Sequence, residues 1–216
     1  MRQTEIAVID YGVGNLLSVR RALEQCGAKV ILTADHKQIL QATHVILPGV
    51  GAFRSAMQAL ERLELIDTIR RVAANDIPLL GICLGMQLLL DESEEFGRTP
   101  GLSLIPGRVI PIPSKTAVEG VAHKIPHVGW NELHASSAVN SWKQTLLQDT
   151  QYLDAVYFVH SFMAVPNDVQ HRISDCFYGQ HRIAAVIKRD NVSGCQFHPE
   201  KSGEVGLRIL QKFVMT

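Results

Sequence analysis

Short apolar blocks alternate with segments of helical periodicity along the first part of the chain. The strand-like blocks are compact, mostly apolar runs, and they lie at residues 6–10, 30–32, 44–47 and 77–80. Between them, residues 16–26 and 52–74 repeat their apolar positions every three or four residues, as helices do. Gly27 is expected to end the first helix, and the second is expected to break near residues 63–65. This alternation predicts a parallel sheet with helices on both of its faces.

The second half of the chain has a different pattern, in which proline, glycine and polar residues separate short strand-like runs. These runs lie at residues 108–112, 157–162, 176–178, 184–188 and 194–197. Their length and spacing are typical of antiparallel strands, so we expect them to extend the same sheet. Residues 142–147 fit a short helix, and residues 203–214 a final helix capped by Ser202. The prediction is an α/β fold with a mixed, largely parallel sheet, in a single domain over residues 1–216.

Composition and charge exclude several classes of partner. The 216 residues are 46% hydrophobic and 19% charged, and 21 basic side chains balance 21 acidic ones. With no net charge and no long run of one sign, neither nucleic acid nor an anionic membrane is an expected partner. The longest apolar stretch, residues 77–90, is shorter than the roughly 20 residues needed to span a bilayer. Residues 1–5 lack the pattern of a signal peptide, so we expect a cytoplasmic protein.

The four cysteines do not form a Cys-x-x-Cys pair anywhere in the sequence. This argues against a zinc ribbon and against a thioredoxin-type redox site, and it fits reduced thiols. Cys195 and His198 have the spacing of metal ligands, but no second pair completes a tetrahedral set. We therefore predict neither a metal nor a cofactor.

Cys83 lies where a buried strand is expected to turn sharply into a helix. Gly81 and Gly85 flank it and give such an elbow the room that it needs. A thiol at a helix N-terminus lies near unpaired N–H groups and the positive end of the helix dipole, both of which favour the thiolate. The N–H of Leu84 is a candidate oxyanion donor, and the glycine-containing segment 48–51 is another.

His198 and Glu200 supply what a thiol nucleophile needs beside it. In an extended segment, residues two apart project from the same side, so the carboxylate can hold the imidazole in place. A lone cysteine is usually inert packing and a lone His-Pro-Glu is usually a surface turn. Together with the elbow, however, they predict a Cys83-His198-Glu200 triad suited to acyl transfer.

The segments around these residues resemble the class I glutamine amidotransferases. Residues 81–87 (Gly-Ile-Cys-Leu-Gly-Met-Gln) and 196–200 (Gln-Phe-His-Pro-Glu) carry the likeness. Five further segments resemble, within that class, the glutaminase subunits of imidazole glycerol phosphate synthase, namely residues 10–16, 47–53, 126–131, 157–162 and 198–202. The resemblance extends from the first strand to the last helix, and it implies a flavodoxin-like form of the α/β fold.

The resemblance also implies a reaction and a partner. Cys83 would attack the side-chain amide of L-glutamine, His198 would protonate the departing ammonia, and water would hydrolyse the glutamyl thioester. The ammonia would pass to a separate cyclase subunit, bound as a heterodimer, that makes imidazole glycerol phosphate and AICAR in histidine biosynthesis. In this family pattern the peptide at Val50 turns to complete the oxyanion hole with Leu84 when the partner is occupied.

Further positions take their expected roles from the same resemblance. The implied substrate-binding residues are Gly49, Gly51, Gln87, Glu95, His160, Ser161 and Phe162. The positions implied to face the cyclase are Asn15, Trp130 and Lys201. Without the resemblance, Trp130 also fits an ordinary core residue, and the acidic cluster that contains Glu95 fits a solvated helix end.

Three other interpretations stay open at the level of sequence. The first is a different class I subunit, such as that of anthranilate synthase or pyridoxal phosphate synthase, although residues 10–15 and 126–131 favour the synthase above. The second is a peptidase or chaperone with a cysteine elbow, but such proteins usually carry a histidine where this chain has Leu84. The third is a binding subunit whose triad is idle.

Overall fold

The computed structural model describes residues 4–115, 120–139 and 141–216. The helices in these ranges are α1 (Leu16–Gln25), α2 (His36–Gln41), α3 (Phe53–Arg62), α4 (Leu65–Ala74), α5 (Leu84–Leu88) and α6 (Gly203–Val214). The strands are β1 (Glu5–Ile9), β2 (Lys29–Thr33), β3 (His44–Leu47), β4 (Leu79–Ile82), β5 (Glu92–Ser93), β6 (Thr99–Pro100), β7 (Gly107–Pro111), β8 (His127–Glu132), β9 (His134–Ala135), β10 (Ala155–His160), β11 (Phe162–Pro166), β12 (Arg172–Tyr178), β13 (His181–Arg189) and β14 (Val192–Cys195).

An eight-stranded sheet forms the centre of the molecule, with strand order β2-β1-β3-β4-β14-β13-β12-β9. The five strands from β2 to β14 in this order pair in parallel. The last three, β13, β12 and β9, pair antiparallel with their neighbours. The predicted α/β fold, with a largely parallel sheet and an antiparallel extension, is therefore confirmed.

Both faces of this sheet are buried, as the continuous apolar character of its strands predicts. In β1, Ile6 and Val8 pack into one hydrophobic cluster, which includes residues of α1 and α6. Their neighbours Ala7 and Ile9 pack into the opposite cluster, with residues of α3 and α4. Successive side chains of a strand point to opposite faces, so one strand supports both layers of helix.

The ends of the predicted helices have local causes. Gly27, which follows α1, has a φ of 84°, a conformation that glycine adopts without strain. The expected break between α3 and α4 occurs at Glu64, which has a φ of 55°. Ser202 precedes α6 but its side chain does not cap the helix. It donates instead to the carbonyl of His198 and accepts from the N–H of Tyr157.

Two of the runs that were expected to extend the main sheet belong to other sheets. Residues 108–112 coincide with β7, which pairs with β11 and β5 in a four-stranded sheet. Residues 157–162 divide at Ser161, because His160 pairs with His127 of β8 whereas Phe162 pairs with Pro111 of β7. The chain thus changes sheet at Ser161, and the prediction of one continuous strand there is wrong.

The short helix expected at residues 142–147 is also wrong, since this segment forms turns. Gln144 has a φ of 60°, which no α-helix accommodates. The indole N–H of Trp142 donates to the carbonyl of Ile173, so a contact with a distant strand fixes the segment.

The neighbouring strands β3, β4 and β14 all end at the same edge of the sheet. The chain leaves them at Leu47, Ile82 and Cys195, respectively. Segment 48–51, Cys83 and segment 196–200 therefore meet at this edge, where ligands bind in open α/β sheets.

Candidate active site

Cys83 forms a strained elbow between β4 and α5. It has a φ of 55° and a ψ of −109°, and its N–H donates to the carbonyl of Cys195 at 2.8 Å. The flanking glycines are sterically required, because a Cβ on Gly85 would lie 1.8 Å from the carbonyl oxygen of Leu47, and one on Gly81 would lie 2.6 Å from that of Gly85. Strained backbone of this kind is concentrated at functional sites.

His198 and Glu200 meet as predicted, but through a different backbone geometry. The segment that follows His198 is a 3-10 turn, Pro199–Lys201, and not an extended strand. Nδ1 of His198 lies 2.8 Å from Oε1 of Glu200, and both side chains are buried. The other ring nitrogen, Nε2, is buried and has no hydrogen-bond partner among the described residues. The ring is thus held at one end, and its other nitrogen is free to exchange a proton.

The charge state of His198 depends on its neighbours. Burial lowers the pKa of His198, but interactions with Cys83 and Glu200 raise it more, to about 9. The imidazole therefore holds, on Nε2, the proton that Cys83 loses when it ionises. A positive charge beside Cys83 stabilises negative charge on the sulfur.

A cavity of about 370 Å³ opens next to Cys83. Of the residues predicted to be catalytic, to donate to the oxyanion or to bind substrate, all except Gly49 and Glu200 line it. Those that do are Val50, Gly51, Cys83, Leu84, Gln87, Glu95, His160, Ser161, Phe162 and His198. Phe96, Pro126 and Val159 complete the wall and were not predicted. Phe96 directly follows Glu95, and this proximity in sequence is the signal that could have identified it.

The backbone N–H of Leu84, which was predicted to donate to the oxyanion, already makes a hydrogen bond within the protein. It donates to the carbonyl of Gly49 at 3.3 Å. Because the peptide bond is planar and trans, the N–H of Val50 points away from Leu84 when this carbonyl points towards it. Tyr11 holds the preceding residue, since its hydroxyl donates to the carbonyl of Pro48 at 2.7 Å. The turned peptide at Val50 stays a prediction, and the structure contains the unturned form.

Gln87 and Glu95 are both buried polar residues of the cavity wall. Nε2 of Gln87 donates to the carbonyl of Phe162 at 3.1 Å and to Oε1 of Gln196 at 2.9 Å. Oε2 of Glu95 accepts from the N–H of Phe53 at 2.6 Å, at the N-terminus of α3. That helix end has no capping side chain of its own, so Glu95 supplies the acceptor and is not the solvated residue of the alternative interpretation.

A pair of neutral histidines lies at the cavity, with His160 in its wall and His127 behind it. Nδ1 of His160 lies 2.8 Å from the carbonyl of Phe162, and Nε2 lies 2.9 Å from Nδ1 of His127. Burial lowers the pKa of His127 to about 4, and burial, together with His127 and His198, lowers that of His160 to about 3. Because the carbonyl of Phe162 only accepts, the proton of His160 is on Nδ1, and His127 donates to its Nε2.

The three residues predicted to face a partner are exposed. Asn15 precedes α1, Lys201 lies in the 3-10 turn, and 59% of Trp130 is accessible. A Cβ on Gly203 would lie 4.0 Å from the Trp130 ring, which places the indole beside the start of α6. The alternative interpretation of Trp130 as a core residue is wrong, and whether it binds a partner stays a prediction.

The described residues contain neither a metal-binding cluster nor a helix that could span a membrane. Within residues 4–115, 120–139 and 141–216, no group of three or more His, Cys, Asp or Glu side chains is arranged to hold a metal ion. No helix in the same ranges has both the length and the apolar character needed to cross a membrane.

Comparison with known proteins identifies relatives along almost the whole chain. Residues 7–216 match the family described as glutamine amidotransferase class-I. The imidazole glycerol phosphate synthase subunit HisH 1 of Legionella pneumophila (strain Lens) is 49% identical over 211 residues, or 98% of this chain and 99% of that protein. The subunit HisH of Geobacillus thermodenitrificans is 48% identical over 213 residues, or 98% of this chain and 95% of that protein.

Solved structures with lower sequence identity share the fold. PurLQS from Thermotoga maritima has a TM-score of 0.73 at 18% identity, covering 99% of this chain and 98% of that one. The glutaminase domain of CTPS from Trypanosoma brucei has a TM-score of 0.64 at 14% identity, covering 99% of this chain and 95% of that one. The sheet, the cysteine elbow and the family match over residues 7–216 agree, and the chain belongs to the class I glutamine amidotransferases.

Proposed function

We propose that this chain is the glutaminase subunit of an imidazole glycerol phosphate synthase, with a role in histidine biosynthesis. The observation that carries the proposal is the meeting of Cys83 with the His198–Glu200 pair at the wall of one cavity. Relatives with this subunit name are about half identical over nearly their full length, which supports the choice within the family. Residues 1–216 would then act as one amidotransferase domain.

The proposed reaction transfers an acyl group to sulfur and then to water. The sulfur of Cys83 attacks the amide carbon of L-glutamine, and the carbonyl oxygen takes up negative charge. Protonated His198 gives a proton to the leaving nitrogen. The C–N bond then breaks, ammonia departs, and a glutamyl thioester remains on Cys83. Nε2 of His198 then accepts a proton from water, and the hydroxide releases glutamate. Glu200 accepts from Nδ1 and holds the ring through both steps.

Two buried acceptors support recognition of an amino acid in this cavity. Oε2 of Glu95 already accepts a hydrogen bond from the N–H of Phe53. The side-chain NH₂ group of Gln87 already donates to two acceptors within the protein. The remaining oxygen of each side chain is the complement for an ammonium group, which is a donor only. We assign the α-ammonium of glutamine to these two residues, with the side-chain amide directed to Cys83. The neutral rings of His160 and His127 add no positive charge that would repel it.

The partner would be a cyclase subunit that receives the ammonia. The exposed residues Asn15, Trp130 and Lys201 support a docking surface at the edge of the sheet where the cavity lies. The hydrogen bond from Leu84 to Gly49 supports a low activity for the chain alone, because it occupies an oxyanion donor. Binding of the liganded cyclase would favour the form in which the Gly49–Val50 peptide has turned.

The first experiment measures glutamate release from glutamine by the purified chain, alone and with a cyclase subunit plus its nucleotide ligand. We expect slow hydrolysis by the chain alone and a large increase with the liganded partner. Fast hydrolysis by the chain alone would contradict the coupling, and no hydrolysis by folded protein in either mixture would contradict the proposed function.

A second experiment replaces the nucleophile, as Cys83→Ala. Only the thioester route needs the thiol, so glutamine-dependent synthesis by the complex should be lost. Synthesis from added ammonium salts should continue at the wild-type rate, because that ammonia does not come from this site. Loss of both activities in a folded complex would instead indicate a structural role for Cys83.

A further inference from the structure

The buried amide of Gln196 contacts the sulfur of Cys83. Gln196 directly follows β14, and none of its surface is accessible. Its Nε2 lies 3.8 Å from Sγ of Cys83, within hydrogen-bonding range for sulfur. Gln196 belongs to the motif that carries His198 and Glu200, yet the reaction as proposed gives it no part.

The surrounding hydrogen bonds determine which end of this amide faces the sulfur. The carbonyl of Phe162 can only accept, and it lies 3.1 Å from the side-chain amide of Gln87, so that end of Gln87 must be its NH₂ group. The same NH₂ group lies 2.9 Å from the Gln196 amide and donates to it. The oxygen of Gln196 therefore faces Gln87, and its NH₂ group faces Cys83.

The sulfur has different partners in its two protonation states. A thiol can donate its hydrogen to the carbonyl of Val159, which lies 3.8 Å from Sγ. A thiolate has no hydrogen to donate and only accepts, so its contact with the Val159 carbonyl becomes repulsive. The N–H of Gln196 is then the matching partner, and hydrogen bonds to an ionised acceptor are about twice as strong as neutral ones. Burial increases the difference, because no water competes for the sulfur on that side.

We propose that Gln196 is a catalytic residue that stabilises the Cys83 thiolate by donating a hydrogen bond to its sulfur. When the thiol ionises, its proton passes to Nε2 of His198 and the electron pair stays on sulfur, while Gln196 keeps both of its own hydrogens. Gln87 acts as a positioning residue for this step, because its NH₂ group fixes the orientation of the Gln196 amide. The inference deepens the proposed function, but ionisation of Cys83 can be measured without glutamine.

The test is the pH dependence of Cys83 alkylation by iodoacetamide in the full chain, with the modified peptide identified by mass spectrometry. In Gln196→Met, which keeps the size but removes the donor, we expect the pH midpoint to move upward. The rate near pH 7 should fall about tenfold, the effect of losing one hydrogen bond to a charged group. At high pH, where every thiol is ionised, the rates of variant and wild type should converge, which separates ionisation from access.

Asn191 provides a matched control at the other end of the same strand. It directly precedes β14, and its side-chain amide donates two hydrogen bonds, to the carbonyls of Ala73 and Ile77. Asn191→Leu, like Gln196→Met, removes a side-chain amide that makes two hydrogen bonds, but far from the sulfur, so it should leave the alkylation midpoint unchanged. An equal shift in both variants would mean that Gln196 acts only through stability, and would overturn the proposal.

A second variant covers the case in which Gln196→Met does not fold. Gln87→Met leaves Gln196 in place but removes the group that orients its amide, so the midpoint should rise by a smaller amount. A wild-type midpoint in a folded variant at either position would overturn the proposed hydrogen bond. Shifted midpoints with no glutamate release by the wild-type complex would leave this bond standing and contradict the glutaminase assignment instead.

Discussion

At the scale of single residues, protonation of His198 affects the stability of the fold and, in the proposed reaction, the reactivity of the site. Its pKa is raised from 6.5 to about 9 in the folded chain. A raised pKa means that the folded state binds the proton more tightly than the unfolded state does. The resulting stabilisation is complete below pH 6.5, declines as the pH rises above that value, and is lost as the pH passes through about 9.

In the proposed reaction the same proton is given to the leaving ammonia, which leads to an expected pH profile. We expect kcat/KM for glutamine hydrolysis by the complex to fall as the pH rises through about 9. In Glu200→Gln the falling limb should move to lower pH, because the carboxylate that helps to raise the pKa of His198 is gone. Steady-state rates across the pH range provide the measurement. If kcat/KM fell at the same pH in the variant as in the wild type, the decrease would be due to titration of a group other than His198.

Tyr11 supports the segment that would donate to the oxyanion. Tyr11→Phe removes the donor to the buried carbonyl of Pro48, and we expect the free energy of unfolding to fall by about 1–2 kcal/mol. Tyr152→Phe is the matched control, because 56% of that tyrosine is exposed. Its loss of a hydroxyl group should therefore change the free energy of unfolding little. Denaturant titration of both variants measures the difference, and equal values would show that the Tyr11 hydrogen bond contributes nothing.

At the scale of elements, the approach of α5 to the end of β3 requires Gly85. In Gly85→Ala, the Cβ would lie 1.8 Å from the carbonyl oxygen of Leu47, so the helix or the strand must shift. We expect a loss of about 3 kcal/mol in stability, together with displacement of Cys83 and loss of glutaminase activity.

The control for that variant is Gly27→Ala, where a Cβ meets no atom within 4 Å but φ is 84°. The left-handed conformation alone costs about 1–2 kcal/mol. Thermal unfolding should therefore show a larger loss for Gly85→Ala than for Gly27→Ala. Equal losses would mean that close packing against β3 is not the reason for glycine at residue 85.

The elements that the sequence predicted well are those whose own residues determine them. Buried strands such as β3 and helices such as α1 follow from local apolar periodicity, and the elbow follows from a cysteine between two glycines. The features that the sequence did not predict depend on contacts between distant residues. The change of sheet at Ser161 reflects pairing with two separate strands, and the bond from Leu84 to Gly49 depends on the orientation of one peptide. No local pattern encodes either.

At the scale of the whole molecule, an exposed aromatic residue tests the expected interface. We expect Trp130→Ala to weaken binding of the cyclase subunit at least tenfold, about 1.4 kcal/mol or more, as loss of a central aromatic contact usually does. The stability of the chain alone should change little, because 59% of this side chain is exposed.

Met215→Ala is the control for binding. Met215 is 69% exposed and directly follows α6. Its neighbour Thr216 lies 3.4 Å from His44 at the start of β3, so Met215 is at the end of the strands opposite to the cavity. Titration calorimetry with each variant should show weaker binding for Trp130→Ala alone. Wild-type affinity for that variant would exclude Trp130 from the interface.

The adjacency of β3, β4 and β14 also has a consequence for biosynthesis of the chain. On the ribosome the proposed nucleophile, Cys83, is made more than a hundred residues before the proposed base, His198. β14 lies between β4 and β13 in the finished sheet, and its pairing with β4 brings the two side chains together. With the proposed triad, a nascent chain cannot consume glutamine until residues 192–200 have been synthesised and have joined the sheet, so the order of translation itself would keep unfinished chains inactive.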